Sequence, residues 1–238
     1  MKKINAQDVQ QFHLNALLYG ATGTGKTTSA STLPLKRTII ISAEAGILSL
    51  AGLDLEILVI ESWADLTEAF VVVKNSPKDI VFVDTLTELN ELAKVHILHE
   101  LRPSLQRKTD KTYESSFSQD DWGELGRRML TMIRSFRDLD KHVIMTCGES
   151  EREDQASGCI MVKPGLNGQA RDQAPTLYDL VFRARVVRNG DKNEYYWQCQ
   201  ADETSAGKFR TPAGQVAPQT VKPNWSEVFA SVLKKKGE

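Results

Sequence analysis

The chain is poor in cysteine, almost without net charge, and has no apolar run long enough to cross a membrane. Its three cysteines, Cys147, Cys159 and Cys199, are odd in number and lack metal-ligand spacing. That pattern argues against a disulfide framework and a zinc site, and leaves reduced thiols in a cytoplasmic protein as the expectation. The opening MKKINAQDVQQ has no apolar stretch of the signal-peptide kind. A formal net charge of −1 excludes a broadly cationic coat for nucleic acid but leaves room for local basic loops. No internal repeat and no linker stands out. At 238 residues the length suits one sizeable α/β domain and is short for two.

What the chain does have is GATGTGKT at residues 20–27, which fits G-x-x-x-x-G-K-[ST] at every constrained position. Gly20, Gly23 and Gly25 let the backbone wrap a polyphosphate with successive N–H groups turned inward. Ala21, Thr22, Thr24 and Thr28 complete the expected nucleotide-binding run. Lys26 supplies a point charge for the β- and γ-phosphate oxygens, and the Thr27 hydroxyl is a candidate magnesium ligand. Leu14, Ala16, Leu17 and Leu18 upstream read as a short buried strand. Residues 27–33 downstream read as a helix stopped by Pro34. A loop from strand to helix places the phosphates at a helix N-terminus, where the dipole favours anions. The bound species is expected to be a nucleoside triphosphate, ATP, with Mg²⁺.

Apolar runs recur along the chain with helical patterns between them. Residues 37–42, 55–60, 80–83 and 143–147 read as strands, and residues 63–74, 86–101 and 122–139 as helices. Strands that are apolar throughout and alternate with helices indicate a mostly parallel sheet covered on both faces. Residues 102–121 are polar and are expected to be a long loop, and so are residues 149–176, apart from an apolar island at 159–162. Residues 180–187 and 194–200 read as an antiparallel pair joined by Asn189-Gly190. A tail helix is expected over about 224–236.

A phosphate loop needs a carboxylate for its metal. Asp84, closing the apolar strand IVFV, has that form, although an aspartate there could also cap the next helix. Hydrolysis needs a base to orient water. The residue after Asp84 is Thr85, so the base must come from elsewhere. Glu44, just after the strand RTIIIS, lies on the rim where ligands bind in an open parallel sheet. Glu88, one helical turn past Asp84, is the competitor.

Together the GATGTGKT loop, the IISAEAG segment with Glu44 and IVFVDTLTEL around Asp84 resemble the RecA-like ATPases. The resemblance implies a RecA-like core over about 14–211, with Glu44 and Lys26 catalytic and Thr27 and Asp84 holding the metal. The segment YDLVFRARV looks like the strand that follows the second DNA loop in that family. GKFRT looks like the K-x-R element inserted into a neighbour's site, so Lys208 and Arg210 would act in trans as finger residues. The small size, DTLTEL and the Trp122-Gly123 pair resemble phage-encoded RecA-core proteins, including the ATP-dependent single-strand annealing branch of the Sak proteins. One departure is the glutamine that senses the γ-phosphate in RecA, where this chain reads IMTCGE. Thr146 and Glu149 are the candidates to replace it.

By the same resemblance, the two long polar loops would grip single-stranded DNA. The first carries Arg102, Arg107, Lys108 and Lys111, with Tyr113 and Phe117 as candidate stacking residues. The second carries Lys163, Asn167 and Arg171, behind an acidic opening at Glu149, Glu151, Glu153 and Asp154. The expected activity is a DNA-coupled ATPase of recombination in a ring or filament of identical subunits, and a single-strand binding protein is a candidate partner. The alternative is a nucleotide-switched loader of a replication or recombination complex. A small-molecule kinase is a weaker third reading, because no arginine-rich lid is evident.

Overall fold

The computed structural model describes residues 5, 13–44, 46–101, 117–155, 158–211 and 214–233. The phosphate-loop strand β1 (Asn15–Tyr19) is buried at all five positions. It is followed by β2 (Thr38–Ser42), β3 (Glu56–Val59) and the helix α1 (Trp63–Asn75). Ser62 opens α1 with a capping box, its hydroxyl accepting from the Asp65 N–H while the Asp65 carboxylate accepts from the Ser62 N–H. Next come β4 (Ile80–Asp84), α2 (Leu86–Leu101) and α3 (Gln119–Arg137), and Ser118 and Asp121 repeat the capping box at α3. The chain continues through β5 (His142–Cys147), β6 (Glu149–Glu153), β7 (Ile160–Pro164) and α4 (Gly168–Gln173). It closes with β8 (Leu180–Asn189), β9 (Lys192–Gln198), β10 (Lys208–Phe209), β11 (Thr220–Val221) and α5 (Trp225–Leu233).

The main sheet runs β11-β9-β8-β1-β5-β4-β2-β3, with β10 pairing β8 off this path. From β8 to β3 all pairings are parallel, and β9, β10 and β11 join antiparallel. Strands buried on both faces must be apolar at every position, which is why each reads as a run rather than an alternation. Alternate residues go to opposite faces. Leu17, Tyr19, Ile39, Ile41, Val81, Val83, Val143 and Met145 pack with α1, α2 and α3 in one core. Ala16, Leu18, Ile40, Phe82, Ile144 and Phe182 pack on the other side with Trp225, Val228 and Phe229 of α5. The architecture is the expected mostly parallel α/β sheet with an antiparallel C-terminal hairpin.

Three expectations need correction. Residues 27–33 do not continue as an α-helix; a 3-10 turn spans Thr28–Thr32 and Leu33 is already extended. Hydroxyls explain this, because Ser29, Ser31 and Thr32 each donate to a carbonyl three residues back. Residues 149–176 are not one loop: β6 and β7 form an antiparallel two-stranded sheet of their own, followed by α4. At the other polar segment, α3 starts at Gln119, ahead of the expected Trp122. Among the described residues no helix is long and apolar enough to cross a membrane.

Candidate active site

Because β1, β2, β4 and β5 are parallel, their C-terminal ends share one rim. That rim carries the phosphate loop after Tyr19, Glu44 after Ser42, Asp84 at the end of β4, and Gly148 and Glu149 after β5. The glycines have separate reasons. Gly23 and Gly25 adopt φ of 81° and 80°, where a side chain is strained. At Gly20 a Cβ would lie 2.7 Å from the Ala184 carbonyl oxygen of β8, so the loop crosses the sheet too closely for any other residue.

Lys26 folds over the loop, its Nζ donating to the Gly20 and Ala21 carbonyls at 2.9 Å each. Burial lowers its pKa, while the charges of Asp84, Glu44 and Glu149 act in the opposite sense. The Thr27 hydroxyl donates to Asp84 Oδ2 at 2.7 Å, and the Thr146 hydroxyl donates to Asp84 Oδ1. Asp84 is 2% exposed, so these two hydroxyls are what make a buried carboxylate tolerable. The capping role weighed for Asp84 belongs to Thr85, whose Oγ1 accepts from the Thr87 N–H at 3.0 Å at the start of α2. That leaves Asp84 aimed at the phosphate loop.

Glu44 is exposed at the rim. Its pKa is raised, first by partial desolvation and then by the negative charges of Asp84 and Glu88, with Lys26 opposing. Glu88 therefore faces the same site and remains the second candidate base.

The donor set fits magnesium. Thr27 and Asp84 offer hard oxygens, and donating its proton to Asp84 leaves the Thr27 oxygen its lone pairs. The negative charges of Asp84, Glu44 and Glu149 act on one lysine, and Glu88 adds its charge beside Glu44, an excess that a divalent cation would offset. No cluster of three or more His, Cys, Asp or Glu suited to a metal occurs among the described residues. A metal that takes one carboxylate and completes its shell with substrate phosphates and water does not need one.

Several residues at the site carry no short motif. Trp225 Nε1 donates to Ser29 Oγ at 3.0 Å, and the Trp225 N–H donates to Thr32 Oγ1 at 2.9 Å. The C-terminal helix α5 therefore clamps the turn after the phosphate loop. Glu149 accepts from Arg183 Nε at 3.0 Å, a largely buried ion pair joining the end of β5 to β8. Thr146 is a support for Asp84 and is buried beneath it. Its signal in the sequence is a polar residue within a strand that is otherwise mostly apolar.

The other expected site residues lie elsewhere. Lys208 of β10 pairs with Val181 of β8, at the level of Leu17 in the middle of β1, about 10 Å of strand away from Gly20. Its Nζ donates to the Tyr178 carbonyl at 2.6 Å, and Arg210 pairs with Asp179 at 2.8 Å with its side chain 63% exposed. Neither is brought to the chain's own phosphate loop. Lys163 and Arg171 both pair with Asp172, at 2.8 and 3.1 Å. Asn167 precedes α4 and accepts from Asn90 Nδ2 at 2.6 Å. Phe117 packs against Trp122. Arg102, Arg107, Lys108, Lys111 and Tyr113 lie outside the described residues.

A model of the AAA_24 family, described as an AAA domain, matches residues 13–211. No curated protein sequence matches the chain. Among solved structures the chain is similar to a KaiC-like protein from the hyperthermophilic archaeon Pyrococcus horikoshii. The two are 15% identical over 83% of this chain and 82% of that one, with a TM-score of 0.45. With the phosphate loop, the Asp84 strand and a family match across most of its length, the chain belongs to the AAA_24 family of AAA domains, and its functional class is that of a P-loop ATPase.

Proposed function

We propose that the chain is a magnesium-dependent ATPase that works on single-stranded DNA in recombination, as an annealing or strand-pairing protein of the phage RecA-core type. The observation that carries this reading is the continuity between the nucleotide rim and the β6–β7 hairpin. Thr146 of β5 holds Asp84, and Glu149, the first residue of β6, is paired with Arg183. The Gly148 N–H between them donates to Thr87 Oγ1 at 2.8 Å at the start of α2, and the Gly165 N–H beyond β7 donates to the Gly148 carbonyl at 2.8 Å. The support of Asp84 is thus three residues from the root of the hairpin.

The chemistry follows from the rim. Magnesium held by Thr27 and Asp84 would neutralise phosphate charge. The loop N–H groups and Lys26 hold the β- and γ-phosphates once Lys26 releases the Gly20 and Ala21 carbonyls. Glu44 orients the attacking water and takes its proton. Lys208 and Arg210, remote from their own loop, serve a neighbouring subunit in an oligomer.

One observation favours the loader reading. Strand β6 is Glu-Ser-Glu-Arg-Glu, and Lys163 and Arg171 share Asp172 as an ion-pair partner, which suits a protein surface better than a phosphate backbone. ATP turnover with and without a single-stranded oligonucleotide at low ionic strength separates the two. Stimulation with salt-sensitive binding supports the DNA reading. Unchanged turnover without binding removes it.

A further inference from the structure

The hairpin of β8 and β9 outruns the strand it pairs with. Tyr19, the last residue of β1, lies opposite Arg183, yet β8 continues to Asn189. Six residues therefore project about 20 Å past the end of β1, on the side where the phosphate loop emerges. The loop lies against this projection, because Gly20 meets the Ala184 carbonyl. Five residues on, a Cβ built at Gly25 would lie 3.9 Å from the Tyr195 ring carbon Cδ1.

Register fixes the side on which that ring stands. Ala184 pairs with Trp197 and Val186 with Tyr195, so Tyr195 shares the face of Trp197. Trp197 is wholly buried in the core that includes Trp225 and Ala30. Two residues nearer the turn, that cover has ended and Tyr195 is 44% exposed. The outcome is an aromatic ring held on a paired strand beside the phosphate loop. A nucleotide whose phosphates sit in residues 20–27 carries its base one ribose and one phosphate away from the loop. An exposed ring at that reach offers a π-face on which any base can stack.

We propose that Tyr195 is the base platform of the nucleotide site, with the projecting β8–β9 hairpin as its wall. This rests on the nucleotide reading above and adds the group that binds the nucleoside end. Recognition by stacking does not read a base edge, so purine triphosphates bind ahead of pyrimidine triphosphates and ATP and GTP lie close together.

The test compares Mg-ATP with magnesium tripolyphosphate, which has the phosphates and no base, by calorimetry on the wild type, Tyr195→Ala and Tyr195→Phe. The expected result is an ATP affinity lowered about 5- to 150-fold in Tyr195→Ala, retained in Tyr195→Phe, with tripolyphosphate within about twofold throughout. The proposal is overturned if Tyr195→Ala binds ATP like the wild type, or if both ligands weaken together, which would make the ring a prop for the loop. A wild type that binds tripolyphosphate as tightly as ATP also overturns it while leaving the phosphate site intact. A wild type that binds neither removes the nucleotide reading and the proposal with it.

Discussion

His142 opens β5, the strand that ends beside the phosphate loop, and it makes the fold sensitive to acid. Its ring is 9% exposed, stacked on Phe229 of α5 and edge-on to His13. Nδ1 accepts from the Leu14 N–H at 3.1 Å, so that nitrogen must be unprotonated. Burial pushes the pKa down to about 4, helped by His13 and Arg37 and opposed by Asp79. A base whose folded pKa lies below its unfolded one binds fewer protons when folded. Its contribution is therefore complete above the unfolded value and is lost as pH falls from about 6.5 to about 4. The linkage gives a loss of about 2 kcal/mol by pH 5 and about 3 kcal/mol by pH 4. Urea unfolding of the wild type and His142→Asn across that window measures it, because an asparagine oxygen can accept from Leu14 without titrating. The wild type should lose about 3 kcal/mol more than the variant between pH 7.5 and pH 4. Parallel losses in both proteins would refute the reasoning.

Further predictions concern the site itself. Lys26→Ala should abolish most ATP affinity or turnover, measured by calorimetry and phosphate release; an unaffected variant would move the phosphates elsewhere. Thr146→Val removes one of two hydroxyl bonds to a buried carboxylate. It should cost roughly 1.5–3 kcal/mol in urea unfolding, and an unchanged midpoint would contradict the support assigned to it. Arg210→Ala should lower turnover only where subunits assemble, so activity measured across protein concentration should converge with the wild type on dilution. Wild-type turnover that is already independent of concentration would remove the finger role.

Much of this was legible in the sequence where one local rule acts alone. Gly23 and Gly25 are dictated by backbone conformation, and the parallel strands announce themselves because burial on two faces permits only apolar side chains. Helix α2 begins and ends where its spacing places it. The failures share a cause. The pairing of β6 with β7 is a backbone matter, and a strand reading Glu-Ser-Glu-Arg-Glu has no apolar face to reveal it. The turn Thr28–Thr32 is set by hydroxyls and by Trp225, which arrives almost two hundred residues later. In the site, Asp84 and Glu44 follow from chemistry and strand ends. Thr146, the Glu149–Arg183 pair and Tyr195 depend on which strand lies beside which, and no spacing encodes that.

The account stands on Glu44 as the base of an ATPase whose phosphates are bound independently of it. Glu44→Gln keeps the size and removes the charge. Mg-ATP affinity by calorimetry, paired with phosphate release from the same preparation, tests this most directly. The account predicts affinity close to the wild type and turnover lower by roughly 10²–10⁴-fold. Turnover at the wild-type rate would contradict it and pass the role to Glu88.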